Sequence, residues 1–389
     1  IAAVAWLRTG QAVDALAVLV VATPCPLILA TPIAIMSGID RAARDGLITK
    51  SGAAIEGLGE VDVVVFDKTG TLTLGMPRLI EVAPIPSLPD AGASVATTPD
   101  QDTLIALAAS VEQYSPHVLA CAVVEAAHER GAALRDVIDM QEIPGKGIQG
   151  TVAYQASGHE RVRVAIGNRT YIRSLSINLP AAVTEERARR TAQGQIVSFL
   201  TLDGRLVGLL IFADVPRPEL SQLVPSLKAA GIKQTVLLTG DGATVAQQVG
   251  KLAQVDRVVA QCLPEQKVDV VRELEASGSR VLMVGDGVND APALATASVG
   301  VAIGSQGLTA ASSAADAVLL SPDILRIASS VRLGRQVMLV ARQGIAIGIG
   351  LSIIAMLVAA LGYIPPTEGA LLQEGIDVIV ILNALRAGR

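Results

Sequence analysis

The chain has 389 residues, of which 51% are hydrophobic and 17% charged, and its mean hydropathy is +0.51. This composition is too apolar for an ordinary soluble enzyme and too charged for a bundle of membrane helices alone, so it predicts a protein with both kinds of part. The net charge of −5 excludes the basic excess of a nucleic-acid-binding protein, and three scattered cysteines exclude a disulfide framework.

Three apolar segments are predicted to cross a membrane, because each approaches the roughly 20 residues that span a bilayer. The first runs from Ala12 to Ile39 with Asp14 as its only charge, and it follows a short piece, Ile1 to Trp6, that has the composition of the end of an earlier span. The second runs from Gly344 to Tyr363 and the third from about Ala370 to Leu385.

Basic residues predict the orientation of these spans. Arg41 and Arg44 follow the first span and Arg342 precedes the second, whereas the loop 362–369 has no Lys or Arg. Positive residues stay on the cytoplasmic side. We therefore expect a multi-pass protein of the cell (plasma or inner) membrane, in contact with lipid, with a large cytoplasmic region between residues 41 and 342.

The cytoplasmic region is typical of an α/β fold with an insert. Short apolar runs without strict alternation, at 61–66, 234–239, 280–284, 299–303 and 317–320, favour a parallel sheet covered on both faces. The insert contains a predicted helix at 104–127 and a hairpin around 151–167. The predicted divisions are a transmembrane part (1–39), a stalk with the start of the first domain (40–78), the inserted domain (79–210), the rest of the first domain (211–330) and two C-terminal membrane helices (331–389).

Acidic and polar residues stand at the ends of the predicted strands, where ligands bind in open parallel sheets. Asp67 follows the first strand, Thr239 and Asp241 the second, and Asp286 and Asp290 the third. A nucleophilic carboxylate needs a divalent cation such as Mg²⁺, to which Asp286 is suited, and groups that bind phosphate; Lys267 and Thr239 are suited to that role. A lone Asp at a strand end is usually a helix cap or turn residue, but several such elements in this order favour chemistry over coincidence.

The motifs DKTGTLT (67–73), TGD (239–241), PEQK (264–267) and GDGVNDAPAL (285–294) resemble the signatures of P-type ATPases, a branch of the haloacid-dehalogenase-like superfamily. The resemblance implies multi-pass α-helical membrane segments and a cytoplasmic α/β part, in which a haloacid-dehalogenase-like Rossmannoid phosphorylation domain carries an inserted α+β nucleotide-binding domain. It implies that ATP phosphorylates Asp67 and that Asp67, the Thr69 carbonyl and Asp286 hold Mg²⁺. Asp290 is assigned to the same magnesium region, Asp241 to catalysis and Asn289 to cofactor binding, while Asp214 and Arg217 help to couple the two domains.

Thr69 also bears on the reaction independently of the resemblance. Hydrolytic enzymes of this architecture have an Asp two residues after the nucleophile as a general acid and base, and a threonine cannot activate water at neutral pH. The aspartyl phosphate is therefore expected to persist, which favours a pump over a phosphatase.

The inserted domain carries GKGIQG, with Gly145, Gly147 and Gly150. A dinucleotide-binding fingerprint is excluded because an extended segment follows this motif instead of a helix. The resemblance makes it a nucleotide loop, with Gly167 and Asn168 as a second match. The family's His-Pro pair is reversed here in Ser-Pro-His, which makes His117 the candidate adenine contact; the alternative is a partly exposed histidine at a helix start.

A transported ion is suggested by two features of the apolar segments. Cys25 lies between two prolines in TPCP, and prolines unwind a span and expose carbonyl groups; the alternative for a lone membrane cysteine is packing.

Glu374 and Asp377 are one helical turn apart in the last span and are expected to face the same interior surface, although Glu374 could instead lie at the membrane edge. One thiolate with carboxylates suits a divalent ion such as Co²⁺, Ni²⁺, Fe²⁺ or Zn²⁺. Thr-Pro-Cys resembles a variant of the heavy-metal branch.

Parts of that family have no match in the sequence: a TGES-like loop, earlier membrane helices and an N-terminal Cys-x-x-Cys module. We therefore expect the C-terminal part of a longer pump, which forms an acyl phosphate and then stalls. The leading function is ATP-driven export of a transition-metal cation. The alternatives are a membrane-anchored phosphohydrolase of the haloacid dehalogenase type and a non-catalytic, metal- or nucleotide-binding remnant of a pump.

Overall fold

The structure, a computed structural model, describes residues 1–23, 25–85, 99–156, 159–287, 290–303 and 313–388, without the side chains of 25–27, 155–156 and 159–160. Its residues form two compact units. The first comprises Ile1–Leu72, Pro218–Gly240 and Gly250–Arg389, and the second comprises Thr73–Arg217 and Asp241–Val249.

The strands and helices are numbered in chain order. The strands are β1 (Leu47–Thr49), β2 (Val63–Asp67), β3 (Thr73–Pro84), β4 (Val137–Ile143), β5 (Gly147–Ala156), β6 (His159–Gly167), β7 (Ile196–Leu202), β8 (Arg205–Pro216), β9 (Gln234–Leu238), β10 (Arg257–Val259), β11 (Val281–Gly285), β12 (Val299–Ile303) and β13 (Ala317–Leu319). The helices are α1 (Ala2–Thr9), α2 (Ala12–Val21), α3 (Cys25–Arg44), α4 (Gly52–Glu60), α5 (Gln101–Glu112), α6 (Val118–Glu129), α7 (Arg169–Ser174), α8 (Ala181–Ala192), α9 (Leu220–Ala229), α10 (Ala243–Ala253), α11 (Pro264–Ala276), α12 (Ala291–Thr296), α13 (Arg326–Ala360) and α14 (Pro366–Ala384).

The first unit is built on a sheet of order β1-β13-β12-β11-β2-β9-β10, parallel except for β1. Every residue of β2, β11 and β12 is buried, as expected when both faces of a parallel sheet are covered. Val268, Val271 and Leu274 of α11 pack against one face. The predicted strands of this sheet are confirmed to within two residues at each end.

The second unit is an antiparallel sheet of order β3-β8-β7-β6-β5-β4. Helices α5 and α6 pack against one core, and a second core around Tyr171 and Phe199 contains residues of α7 and α8. The prediction of one helix over 104–127 is wrong, because α5 ends at Glu112 and α6 begins at Val118. Pro116 lies in the break, where it lacks a backbone N–H and disfavours helical geometry at the preceding residue.

The apolar segments form four helices in the described residues: α2, α3, α13 and α14. The first predicted span is interrupted, because α2 ends at Val21 and α3 begins at Cys25. Within the described residues, α13 is the one helix long and apolar enough to cross a membrane, and α2 is a shorter apolar helix. Multi-pass topology therefore stays a prediction.

Helix α13 contacts α4 at two glycines. A Cβ added to Gly334 would lie 2.5 Å from the backbone nitrogen of Gly59, so only glycine permits this approach of the two helices. Next to it, the guanidinium of Arg335 donates to the carbonyl oxygens of Val61 at 2.9 Å and Gly231 at 3.1 Å. These carbonyls precede β2 and β9, so α13 is fixed to the sheet that carries Asp67.

Candidate functional site

Three neighbouring strands bring the predicted acidic and polar residues to one edge of the sheet in the first unit. Asp67 is the last residue of β2, Thr239 follows β9, and Asp286 follows β11. Because β9, β2 and β11 are adjacent and parallel, these residues lie at one set of carboxyl ends, as the sequence predicts. Thr239 is buried, and its backbone is fixed by hydrogen bonds to Val259 and Cys262.

Lys267, in the first turn of α11, joins two carboxylates in this site. Its Nζ lies 2.6 Å from Oδ1 of Asp67 and 2.6 Å from Oδ1 of Asp290. The three side chains are 9%, 8% and 0% exposed, so the contacts are shielded from water and stronger than surface ion pairs. The structure therefore brings together Asp67, Lys267 and Asp290.

The cluster of Asp67, Lys267 and Asp290 has more acidic groups than basic ones. Burial, followed by the neighbouring charge of Asp290, raises the pKa of Asp67 to about 6, although Lys267 opposes the shift. Burial also raises the pKa of Asp290, again against Lys267. Burial alone would lower the pKa of Lys267, but Asp67 and Asp290 together raise it, so the amine stays protonated. One lysine thus faces two buried carboxylates, and a further cation is favourable there.

The donor set fits Mg²⁺. Oδ2 of Asp290 is buried and has no hydrogen-bond partner among the described residues. Gly70, at φ +71°, turns the chain so closely past Asp286 that an added Cβ would lie 3.2 Å from the Asp286 Cβ. Within the described residues no three His, Cys, Asp or Glu side chains form a metal cluster. A few carboxylate oxygens together with a backbone oxygen suit Mg²⁺, because this ion keeps several of its water ligands when it binds to a protein. Asn289 lies outside the described residues.

The second unit contains a cavity of about 240 Å³ between the α5–α6 turn and the strands β4 to β7. It is lined by most of the residues predicted to bind nucleotide: His117, Gly145, Gly147, Gly167 and Asn168. Gly150 is not among its lining residues. An added Cβ at Gly150 would lie 2.5 Å from Cγ1 of Val137, so a glycine is needed here for strand packing, and the role of Gly150 in nucleotide binding stays a prediction.

The glycines allow two strands to approach beside the cavity. Gly147 pairs with Gly167 across β5 and β6, and an added Cβ at Gly147 would lie 2.3 Å from both Ile166 O and Tyr171 Cδ1. Asn168 caps α7 by accepting from Tyr171 N at 2.9 Å, and its side-chain amide donates to Gly145 O at 3.0 Å. Asn168 therefore fixes the glycine loop.

His117 lies at a helix start, as one of the two interpretations of the sequence expects, and its contact with adenine stays a prediction. It is exposed and caps α6, with Nδ1 accepting from Leu119 N at 3.2 Å, and it also lines the cavity. Because Nδ1 acts as the acceptor, the ring in this conformation presents Nε2–H as its free donor.

Among the cavity residues that the sequence analysis did not assign to binding are Glu112, Ser115 and Glu142. Burial, followed by the charge of Glu142, raises the pKa of Glu112 to about 7. Ser115 Oγ donates to Glu142 Oε1 at 2.6 Å. These residues come from a helix end, a turn and a strand, so their meeting depends on the fold, and no sequence motif joins them.

The remaining predicted residues of the second unit lie at its borders. Asp214 of β8 accepts from Thr73 Oγ1 at 2.5 Å and from Gly75 N at 3.1 Å, which fixes the start of β3. Arg217 is buried and Asp241 is partly buried. The predicted coupling role of Asp214 and Arg217 stays a prediction.

The candidate ion site among the apolar helices differs from the prediction. Asp377 of α14 is 7% exposed, but Glu374 is exposed, so the two carboxylates do not face one interior surface. Gln373 is buried instead, because positions i and i+4 lie closer on a helix face than i and i+3. Gln373 Nε2 donates to Asp377 Oδ1 at 3.2 Å and to Thr23 O at 3.5 Å, and Ser352 Oγ donates to Gln373 Oε1 at 3.3 Å. The side chain of Cys25 lies outside the described residues.

Comparisons with known proteins show which proteins this chain is similar to. The profile of the family described as haloacid dehalogenase-like hydrolase matches residues 61–298. A manganese-exporting P-type ATPase of Mycobacterium tuberculosis is 35% identical over 99% of this chain and 51% of its own length. A copper-transporting P-type ATPase of Rhizobium leguminosarum is 37% identical over 96% of this chain and 43% of its own length. A crystal structure of a zinc-transporting PIB-type ATPase in the E2.Pi state matches 97% of this chain and 58% of its own, with a TM-score of 0.77 and 34% identity. The chain thus spans about half the length of the curated relatives it matches.

Proposed function

Because the chain belongs to the haloacid dehalogenase-like hydrolase family and is homologous to heavy-metal P-type ATPases, we propose that it uses ATP to drive a transition-metal cation across a membrane. The reaction passes through an aspartyl phosphate at Asp67. The observation that carries this proposal is the buried contact of Lys267 with both Asp67 and Asp290 at the strand ends.

Phosphoryl transfer begins with a carboxylate oxygen of Asp67. This oxygen attacks the γ-phosphorus of ATP, an Oδ–P bond forms, the bond to the bridging β,γ-oxygen breaks, and ADP leaves. Lys267 remains protonated beside Asp67 and neutralises charge on the transferred group. Asp67, Asp286 and the Thr69 carbonyl would hold Mg²⁺, which when bound shields the phosphate oxygens from the carboxylates.

Thr69 favours a persistent phosphoenzyme. It stands where a hydrolytic enzyme needs a second carboxylate, and its hydroxyl cannot take a proton from water at neutral pH. The acyl phosphate can then outlast a conformational step, which is what coupling to ion movement requires.

The nucleotide base is assigned to the cavity of the second unit, where His117 and the glycine loop meet. The cation is assigned to the buried polar group around Gln373 and Asp377, with Cys25 as a thiolate ligand. The oxygen, amide and thiolate donors suit a borderline divalent ion such as Co²⁺, Ni²⁺, Fe²⁺ or Zn²⁺. Polar side chains buried among apolar membrane helices are expensive and typically functional. We place these helices in the cell membrane and the two catalytic units in the cytoplasm.

The proposal is tested by acid-stable labelling of this chain with γ-³²P-ATP and Mg²⁺. The chain and its Asp67→Asn variant are compared across a panel of divalent metals. We expect label in the native chain, none in Asp67→Asn, and dependence on one metal that is lost in Cys25→Ala. Labelled chain that is indifferent to every metal contradicts transport but leaves phosphoryl transfer standing. Absence of label from folded protein contradicts both.

A further inference from the structure

A groove of about 540 Å³ lies in the first unit, where helix α13 passes the end of α4. Its volume is within the ~300–1,000 Å³ of sites that bind small molecules. Gly59 and Glu60 of α4 form one edge, and the other lining residues belong to α13, at positions 335, 338, 339, 342, 343 and 346. Residues at these spacings share one face of a helix. The groove therefore follows one side of α13.

The groove carries more positive than negative charge. Its one acidic lining residue, Glu60, is already paired with Arg280 at 3.6 Å. Arg335 is fixed because its Nη2 donates to two backbone carbonyls, whereas its Nη1 and Nε make no hydrogen bond to a described residue. Arg342 is exposed, and its guanidinium makes neither a hydrogen bond nor an ion pair within the described part of the chain. The two arginines thus offer several N–H donors to an anion.

Beyond Arg342, the same face of α13 becomes apolar. Residues 343–360 contain no charged side chain, and at 1.5 Å per residue they extend about 27 Å, close to the ~30 Å of a bilayer core. Ala346, Ile349 and Ile353 follow Arg342 by about one, two and three turns, so they lie on its side of the helix. All three are exposed, the two isoleucines at 44% each. One side of α13 therefore has cationic donors at one end and an exposed apolar stripe at the other.

We propose that this groove binds one anionic phospholipid, with the phosphate at Arg342 and Arg335 and an acyl chain along the apolar stripe. A guanidinium donates two parallel N–H groups to phosphate, and basic groups at the cytoplasmic boundary of a membrane helix attract acidic headgroups. A soluble phosphate compound would match the arginines but leave the apolar stripe uncovered. The inference goes beyond ion transport, but it rests on the proposed placement of α13 in a membrane.

The test measures the binding of phosphatidylglycerol and phosphatidylcholine to the detergent-solubilised chain by native mass spectrometry. Both lipids carry a phosphate diester, but the choline ammonium balances the charge of the second. We expect the dissociation constant of phosphatidylglycerol to be at least about tenfold lower, because each arginine beside an acidic headgroup contributes roughly fivefold.

Arg342→Gln removes one of these charges and should lower the preference for phosphatidylglycerol by about fivefold. Arg342→Lys keeps the charge and should retain the preference within about twofold. The matched control is Arg332→Gln, which removes the same charge from the same helix. Arg332 is exposed, does not line the groove and lies about 15 Å farther from the apolar stripe along the helix axis, so its loss should change the preference by less than about twofold.

Equal affinity for the two lipids overturns the inference, as do equal losses in Arg342→Gln and Arg332→Gln, which would indicate a general effect of charge. Glycerophosphoglycerol, the same headgroup without acyl chains, distinguishes a lipid site from a site for soluble phosphate compounds. It should bind at least about tenfold more weakly than the lipid, and equal affinity overturns the role of the apolar stripe. Binding is measured without ATP. A chain with an Arg342-dependent preference that never becomes labelled at Asp67 therefore contradicts the proposed function and supports this inference.

Discussion

The amine of Lys267 lies 2.6 Å from the carboxylate of Asp67, inside a protein interior that also encloses Asp290. Removing this amine leaves two buried carboxylates without a cation, a more costly change than losing a surface ion pair. We predict that Lys267→Ala lowers acid-stable phosphoenzyme by about 100-fold or more, as loss of a preorganised charge does in other active sites. Lys267→Arg should give an amount of phosphoenzyme between those of the native chain and Lys267→Ala, because arginine keeps the positive charge but carries it on a group of different shape.

The matched control for this prediction is Lys228→Ala. Lys228 also forms an ion pair, with Asp256 at 2.7 Å, but it lies at the surface. Its removal should change labelling by less than about threefold, because exposed pairs contribute only about 0–1 kcal/mol. Equal losses in the two variants would contradict a specific role for Lys267.

Gly147 and Gly145 provide a comparison of packing with backbone strain. An added Cβ at Gly147 meets Ile166 O and the Tyr171 ring at 2.3 Å, whereas at Gly145, with φ +70°, nothing lies within 4 Å. Gly147→Ala should therefore force the two strands apart and abolish measurable ATP binding. Gly145→Ala should cost only about 1 kcal/mol of stability from its left-handed backbone. Binding isotherms and thermal melts of both variants check this, and the reverse ranking would contradict the close strand approach.

Glu112 predicts a pH dependence of stability. Its pKa is about 7 in the folded chain against an ordinary 4.5, so the folded state holds a proton that the unfolded state has lost between these values. The contribution of the neutral group to stability is complete below about pH 4.5 and is lost as pH rises through 7. Glu112→Gln, which is neutral at every pH, should gain stability relative to the native chain by up to about 3 kcal/mol between pH 5 and 8.

Calorimetric melts of both proteins at several pH values measure this gap. The other ionisable groups of the cavity lining, His117, Glu142 and Lys146, are present in both proteins, so the difference isolates Glu112. Parallel pH profiles would show that Glu112 titrates normally.

Gln373 and Glu374 are neighbours with opposite surroundings, and this predicts different effects on metal dependence. Gln373 and Asp377 are buried and hydrogen-bonded to each other, while Glu374 is exposed. Asp377→Asn and Gln373→Met should each abolish the metal dependence of labelling at Asp67. Glu374→Gln should retain it within about threefold, as an exposed substitution away from the site does. Loss of metal dependence in Glu374→Gln alone would contradict this placement.

The sequence predicted the first sheet well, because its strands are short, apolar and bounded by turns. Asp67, Thr239 and Asp286 were placed correctly, since strand ends are local features that a parallel sheet brings together. The contact of Lys267 with Asp290 was not predicted, because it depends on how α11 packs.

Other features could not be read from local patterns. The hydrogen bond from Ser115 to Glu142 joins residues 27 positions apart, and Pro116, which breaks the helix between α5 and α6, was read only as part of a motif. The burial of Gln373 was not predicted, because the sequence analysis considered only the charged residues Glu374 and Asp377 of this helix. The burial of Gln373 depends on how the neighbouring helices pack, and the local sequence does not show this.

The contact of Gly334 with Gly59, and the bonds of Arg335 beside it, have a mechanical consequence. Helix α13 has 35 residues, so at 1.5 Å per residue it is a rod about 50 Å long. It is fixed near one end to the chain segments that lead into β2 and β9, and its far end is apolar. A tilt of only a few degrees at the fixed end therefore displaces the far end of the helix by several ångströms, because most of the helix lies beyond the contacts that fix it.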